Sequence, residues 1–285
     1  MVAPSSPFDQ SRFDLACESL ERQGYEVIQG ENILKRRRYL AGTEAERAGD
    51  LIHALSDPTI SAVFCARGGY GSGRLLPYLP FPSLRENPRI FMGYSDVTFL
   101  HLAIHARMQW VTFHGPNLIS MNESPADALS CVLDALGGKA AFSWSLRKEQ
   151  ILKPGTASGT LTGGNLTCLA HTIGTPYFPN LDDALLLVED YGEALYRLDR
   201  LFTHLRLSGV LKRLRGLILG QFTDCGEQER VLEMVLAQVE PFHFPVLCDL
   251  PFGHGLENEV IPFGIAFQIN SHDRTFKALE RPFSG

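Results

Sequence analysis

The feature that most constrains this chain is the alternation of its first half between two hydrophobic periods. Residues 11–24 place Phe13, Ala16, Cys17 and Leu20 on one helical face, and Tyr25-Glu26-Val27-Ile28 follows as a short strand-like run. Thr43 to Glu46 has the form of a capping box, with Ala48, Leu51, Ile52 and Leu55 after it at helical spacing. Ile60 to Ala66 and Arg89 to Tyr94 read as strands. Val97, Leu100 and Ile104 then return to the helical period, and Trp110 to Phe113 reads as a further strand. Strands separated by helices cannot pair as hairpins. They predict a parallel sheet covered by helices on both faces. In such sheets, sites form beyond the carboxyl ends of the strands. Two loops fall there, Arg67-Gly68-Gly69-Tyr70-Gly71 and Gly93-Tyr94-Ser95-Asp96.

The pattern changes over residues 137–160, where Gly137-Gly138 and Lys153-Pro154-Gly155 interrupt a stretch with little helical periodicity. The expected organisation is an N-terminal α/β domain over 1–137, a linker over 138–157 and a mixed α/β domain rich in short strands over 158–285. In the second domain, Thr160 to Asn165, Ala184 to Glu189, Gly216 to Phe222, Pro245 to Pro251 and Ile261 to Ile269 are strand-like. Residues 197–209 and 227–240 are helical, the first with Leu198, Leu201, Phe202 and Leu205 inward. The 285 residues, 45% hydrophobic and 20% charged, suffice for packed cores of this size.

A net charge of -6 gives no support to a nucleic-acid or anionic-membrane partner, and the basic run Lys35 to Arg38 reads as a solvated loop. The six cysteines form no C-x-x-C pair, and several lie in apolar runs. Buried reduced thiols in a reducing compartment are expected. No basic-then-apolar leader opens the sequence, and no apolar run approaches the roughly 18 residues of a membrane span. These observations predict a cytoplasmic protein.

Ser95 follows the apolar run Ile90-Phe91-Met92 and opens a helix. At a sharp strand-to-helix turn a serine projects its hydroxyl, and the helix amides and dipole face whatever it attacks. The hydrolase elbow G-x-S-x-G places glycine where this chain has Val97, and a plain N-cap is the competing reading. A serine nucleophile needs a base, and the base an orienting acid. His254, in Pro251-Phe252-Gly253-His254-Gly255, is one candidate base and His114 a second. For the acid, Glu189 ends the run Leu185 to Val188, with Asp190 and Glu193 close behind, so the choice among the three stays open. His101 and His105 stand four apart but lack a third ligand motif, so no metal is expected. The loop Gly68 to Arg74 lacks the G-K-[ST] ending of a phosphate loop, and no nucleotide cofactor is expected. It fits better as an oxyanion loop beside Ser95, since glycines expose amide donors.

Five motifs occur together and in order: Ala66-Arg67-Gly68-Gly69-Tyr70-Gly71, Gly93-Tyr94-Ser95-Asp96, Gly163-Gly164-Asn165-Leu166, Glu189-Asp190-x-Gly192-Glu193 and Pro251-Phe252-Gly253-His254-Gly255. In this the chain resembles the LD-carboxypeptidases, serine peptidases acting on murein peptides, over nearly its whole length. The resemblance implies a triad with Ser95 as nucleophile, His254 as general base and then acid, and Glu189 orienting His254. It implies an oxyanion hole from the amides of Asp96 and Gly69, a site between the two domains, and no cofactor or metal. The implied reaction releases the terminal D-alanine from a murein tetrapeptide, or its sugar-linked forms, in the cytoplasm during wall recycling. The implied assembly is a homodimer. Arg67 and Arg74 are candidates for the substrate's terminal carboxylate, with Tyr70 beside them as a further substrate contact. One departure is the start at Met1-Val2-Ala3-Pro4, which leaves the first strand short. A sister branch, the microcin-immunity peptidases, cleaves an acyl-nucleotide amide. The loop Tyr191 to Arg200 looks more like the murein enzymes, although Tyr191 and Tyr196 keep stacking on a base open. The third alternative is a non-catalytic wall-peptide binder, which has no need of Ser95, Glu189 and His254 together.

Overall fold

A computed structural model of the chain describes residues 1–121 and 128–283. The strands are β1 (Ala62–Phe64), β2 (Ile90–Gly93), β3 (Thr112–His114), β4 (Ser143–Ser145), β5 (Ile151–Lys153), β6 (Thr156–Asn165), β7 (Leu185–Tyr191), β8 (Gly216–Thr223), β9 (Val246–Leu247), β10 (Ile261–Phe263), β11 (Ala266–Asn270) and β12 (Thr275–Ala278). β1, β2 and β3 pair in parallel, as the alternation predicts. The second sheet has the order β4-β12-β11-β6-β7-β8-β9-β5. Its centre, β6 to β9, is parallel, and its flanks are antiparallel. This is a mixed α/β architecture whose first sheet is parallel except for β10, antiparallel on β3, and whose larger second sheet has mostly short strands.

The helical readings hold closely. Helix Gln10–Arg22 buries Phe13, Ala16, Cys17 and Leu20 and is capped by the Asp9 side chain. Helix Glu44–Ser56 opens with the Thr43–Glu46 capping box, with reciprocal bonds between side chain and backbone. Leu195–Leu207 turns Leu198, Phe202 and Leu205 inward. One apolar core joins the sheets: Phe64, Met92 and Phe113 from the first pack in the same cluster as Leu161, Leu187 and Phe267 from the second. Each such large side chain, fully buried, contributes about 1.5–3 kcal/mol. Cys17, Cys65, Cys225 and Cys248 are buried without disulfides. Among the described residues, no helix is long and apolar enough to cross a membrane.

Two strand readings need correction. Tyr25 to Ile28 forms no strand, and Tyr25 and Ile28 are exposed. The edge of β1 that this run would need is taken by Val2, which bridges Cys65 in parallel and bonds to Phe64 and Ala66. The short opening segment therefore contributes a single bridge rather than a strand. The run Ile261 to Ile269 is two strands. It breaks at Gly264, whose φ of +97° suits glycine, so that β10 completes the first sheet against β3 while β11 enters the second. The stretch 138–157 supplies β4, β5 and the start of β6 to the second sheet. Trp144 on β4 packs among Phe252, Phe267 and Phe276.

Candidate active site

Ser95 sits just past β2 with φ +66°, a left-handed conformation that costs a non-glycine residue about 1–3 kcal/mol. The surroundings hold it there. A Cβ on Gly93 would come within 2.9 Å of Val97 Cγ1 and 3.0 Å of Asn117 Oδ1. Asn117 Oδ1 accepts from the Tyr94 amide at 3.3 Å, and His101 Nε2 lies 2.8 Å from the Gly93 carbonyl. The departure from G-x-S-x-G therefore has a local reason. Strand and helix cross closely, and glycine at 93 makes the room that Val97 fills.

His254 closes the other side. Its Nε2 is 3.0 Å from Ser95 Oγ and its Nδ1 is 2.6 Å from Glu189 Oε2. With the Ser95 hydroxyl donating to Nε2, Nδ1–H donates to the carboxylate. Glu189 is fully buried at the end of the buried run Leu185 to Val188. Gly253, at φ +118°, lets the loop pass so near that a Cβ there would meet Glu189 Oε2 at 2.7 Å. Burial pushes the Glu189 carboxyl up, against the favourable charge and hydrogen bond of His254. Burial disfavours the His254 imidazolium, but the charge and hydrogen bond of Glu189 together outweigh it, and the ring titrates above the ordinary imidazole value. Tyr94 and Tyr191 both pack on the ring, with centroids 4.9 and 5.2 Å away.

The three candidate acids differ in their partners. Asp190 is buried and accepts from Asn165 Nδ2, from the Thr167 amide and hydroxyl, and from its neighbour's amide at Tyr191. Glu193 pairs with Arg197 at 3.6 Å. Only Glu189 of the three bonds to His254. The Gly163-Gly164-Asn165 motif joins the serine's helix to the acid's sheet. The Asn165 amide donates to Thr98 Oγ1 at 2.9 Å, and a Cβ on Gly164 would sit 2.4 Å from that oxygen. His114 is wholly buried, which drives its pKa well below the ordinary value, and it makes no bond to Ser95. His101 is likewise buried and pushed down to about 4. Among the described residues, no group of three or more His, Cys, Asp or Glu could hold a metal.

The glycine loop lies against the serine. A Cβ on Gly68 would come within 2.8 Å of Ser95 Cβ, while Gly69, at φ +106°, packs on Ser6. Asp96 follows Ser95 at the helix opening, where amides lack intrahelical partners. Its side chain, unremarked in the sequence, is buried in a network of its own. A cleft of about 1020 Å³ opens over Ser95 and His254, lined among others by Arg67, Gly69, Tyr70, Tyr191 and Glu193. Arg67 is exposed there, donating one bond to the Pro7 carbonyl. Arg74 does not line the cleft but pairs with Glu44, so the structure separates it from the other substrate candidates. Arg12 and Arg36 line the cleft instead. Sequence reasoning placed Arg36 in a solvated loop, because its approach to the Phe8 carbonyl is a long-range contact.

A strained serine, an imidazole and a buried carboxylate stand in one hydrogen-bonded line below a cleft, the arrangement that nucleophilic catalysis by a serine requires. Fold and comparisons together make this a serine-type carboxypeptidase. Residues 1–115 match the family model of the LD-carboxypeptidase N-terminal domain, and residues 158–269 that of the LD-carboxypeptidase C-terminal domain. A probable murein peptide carboxypeptidase of Bacillus subtilis is 34% identical, over 96% of this chain and 89% of its own length. A muramoyltetrapeptide carboxypeptidase from Oxalobacter formigenes, of solved structure, is 29% identical with a TM-score of 0.85, covering 97% of each chain. The microcin C7 self-immunity protein MccF of Escherichia coli is 27% identical over 99% of this chain and 92% of its own length. A structure of MccF in complex with aspartyl sulfamoyl adenosine gives a TM-score of 0.90 at 26% identity, over 99% and 96% of the two chains. The chain belongs to the LD-carboxypeptidase family.

Proposed function

We propose that this protein is an LD-carboxypeptidase releasing the terminal D-alanine from murein tetrapeptides, free or sugar-linked, with Ser95 as nucleophile. The observation that carries the reading is the line from Ser95 Oγ through His254 to the buried Glu189 carboxylate, 3.0 and 2.6 Å long. His254 Nε2 takes the hydroxyl proton as Oγ attacks the carbonyl of the diamino acid. The oxyanion is received by the amides of Asp96 and Gly69. As the intermediate collapses, the amide C–N bond breaks, and His254 returns its proton to the leaving D-alanine nitrogen. Water, deprotonated by the same imidazole, then attacks the ester, and the tripeptide leaves with Ser95 restored. Glu189 keeps Nδ1 protonated and stabilises the imidazolium in both halves. Arg67, exposed in the cleft beside the glycine loop, is the group we assign to the terminal carboxylate, with Tyr70 next to it. We assign the serine to an N-terminal domain, 1–137, and the acid and base to a C-terminal domain, 158–285, whose sheet the intervening stretch 138–157 extends with β4 and β5.

The murein names of the Bacillus and Oxalobacter relatives support the substrate. We place the enzyme in the cytoplasm, as a homodimer that recycles wall fragments. The alternative is an acyl-nucleotide amide, favoured by the TM-score of 0.90 to MccF and by the exposed Tyr191 ring at the cleft. Purified protein offered a murein tetrapeptide and an aminoacyl-nucleotide amide side by side separates the two. Loss of one alanine from the peptide, followed by mass spectrometry, is the expected result. Cleavage of the nucleotide conjugate alone would transfer the enzyme to the other substrate class. Light scattering tests the dimer, and a monomer mass would remove it.

A further inference from the structure

The Asp96 side chain faces the glycine loop rather than Ser95 and has no part in the proton path. Its Oδ2 accepts from Ser5 Oγ at 2.6 Å and from the Ser72 amide at 2.8 Å, and its Oδ1 accepts from the Gly71 amide at 3.2 Å. The Ser72 hydroxyl returns a bond to the Asp96 carbonyl at 2.5 Å. On the other side of the loop, Arg47 Nη1 donates to the Gly71 carbonyl at 2.8 Å and also to that of Pro4. Ser5, Arg47, Ser72 and Asp96 are all buried. The residue-71 glycine, at φ +124°, thus has its N–H on a buried carboxylate and its C=O on a buried guanidinium. Next along, the Ser6 amide donates to the Gly68 carbonyl, and Ser6 Oγ accepts from the Tyr70 amide.

A run of glycines has more conformations to lose than any other loop, so it presents amides in one direction only if something outside it fixes the chain. Preorganised donors act because they need not move when charge develops. Here the outside support is specific. One end of the Gly68–Ser72 loop is tied to the opening segment through Ser6 and the other to the residue that follows the nucleophile, and Gly68 at the first end lies directly against Ser95. We infer that Asp96 is a positioning residue: its carboxylate, braced by Ser5, holds the glycine loop against Ser95 so that the loop amide stays aimed at the reacting carbonyl. The inference rests on the serine-peptidase reading of Ser95 but not on the identity of the peptide. It gives the opening segment a catalytic consequence, since Ser5 and Ser6 bear on the loop from outside the cleft.

The test compares wild type with Asp96→Asn, Ser5→Ala and Ser6→Ala. Three readings are taken: kcat and KM on the tetrapeptide, the rate of Ser95 labelling by a fluorophosphonate, and thermal unfolding. Asp96→Asn removes one acceptor oxygen and turns a donor toward the loop amides. It is expected to lower kcat roughly 100-fold, the scale of a small misplacement at a reacting centre, with KM within about threefold. Labelling, which also builds a tetrahedral centre with its oxygen in the amide pocket, should fall in parallel. Ser5→Ala should lower both rates roughly tenfold, since one brace is lost and the carboxylate stays. A folded Asp96→Asn protein with kcat and labelling within about twofold of wild type would overturn the inference, as would a fall in unfolding temperature alone. If Asp96→Asn does not fold, Ser5→Ala and Ser6→Ala decide, and wild-type rates in both overturn it. An intact tetrapeptide beside a labelled wild type would reject the substrate while the labelling rates still judge the brace.

Discussion

Replacing Glu189 by glutamine separates catalysis from stability. The carboxylate is wholly buried and lies 2.6 Å from His254 Nδ1. In the transition state the ring is an imidazolium, with charge centres about 4 Å apart. At an effective dielectric of about 20 this attraction amounts to about 4 kcal/mol, or roughly 10³-fold in rate. A misplaced amide N–H facing Nδ1 would also favour the wrong tautomer, and kcat should fall ~10³–10⁴-fold. In the proposed mechanism neutral His254 is the base, so activity should rise as pH passes its raised pKa. Without the carboxylate that pKa falls, and the acid limb of kcat/KM should move to lower pH while the plateau drops. Stability follows another sign. The folded pKa of Glu189 is raised by burial, so its ionisation opposes folding above that pKa, and glutamine removes that cost. The raised folded pKa of His254 gives stability that is full below the unfolded imidazole value and lost as pH rises through the folded one. At alkaline pH, above the folded pKa values of both groups, the variant should unfold no earlier than wild type, because the imidazole is then neutral and glutamine removes the cost of a buried carboxylate. At mildly acidic pH it should be less stable than wild type, since the imidazolium has lost its counter-charge. The assay is a pH series of kcat/KM and thermal unfolding on both proteins. A wild-type rate, or an acid limb that does not move, would refute the reasoning.

Other outcomes follow from the same geometry. Gly68→Ala puts a Cβ within 2.8 Å of Ser95 Cβ. It should lower kcat about 100-fold or more in a folded protein, whereas an unchanged kcat would mean that the loop gives way freely. Gly164→Ala, at φ +121° and 2.4 Å from Thr98 Oγ1, should destabilise by about 1–3 kcal/mol in denaturant melts. Unchanged stability would show that the serine's helix does not depend on that contact. Arg67→Ala should raise KM for the tetrapeptide by roughly tenfold, one charge-assisted contact, with kcat little changed. An unmoved KM would pass the carboxylate to Arg12 or Arg36, which share the cleft.

Much of this was legible because its causes are local. The capping box at Thr43 needs only its own turn, and the buried stripe Phe13, Ala16, Cys17 and Leu20 needs only the helical period. Ser95, Glu189 and His254 stand out at the ends of apolar runs and between glycines. Other features depend on neighbours distant in sequence. Tyr25 to Ile28 has strand-like residues, but Val2 occupies the edge it would need. Gly264 divides Ile261 to Ile269 between two sheets, and nothing local announces which neighbour each half meets. The choice of Glu189 over Asp190 appears only once Asn165 and Thr167 claim Asp190. The Ser5–Asp96 bond spans 91 positions and has no pattern to betray it. Arg74, close to the glycine loop in sequence, is drawn off by Glu44.

The most direct test of the central claim is mass spectrometry of a murein tetrapeptide incubated with wild type and with folded Ser95→Ala. Loss of one terminal alanine with wild type and an unchanged peptide with Ser95→Ala is the predicted result. Equal release by the two proteins would contradict Ser95 as the nucleophile, and an intact peptide with both would contradict the substrate.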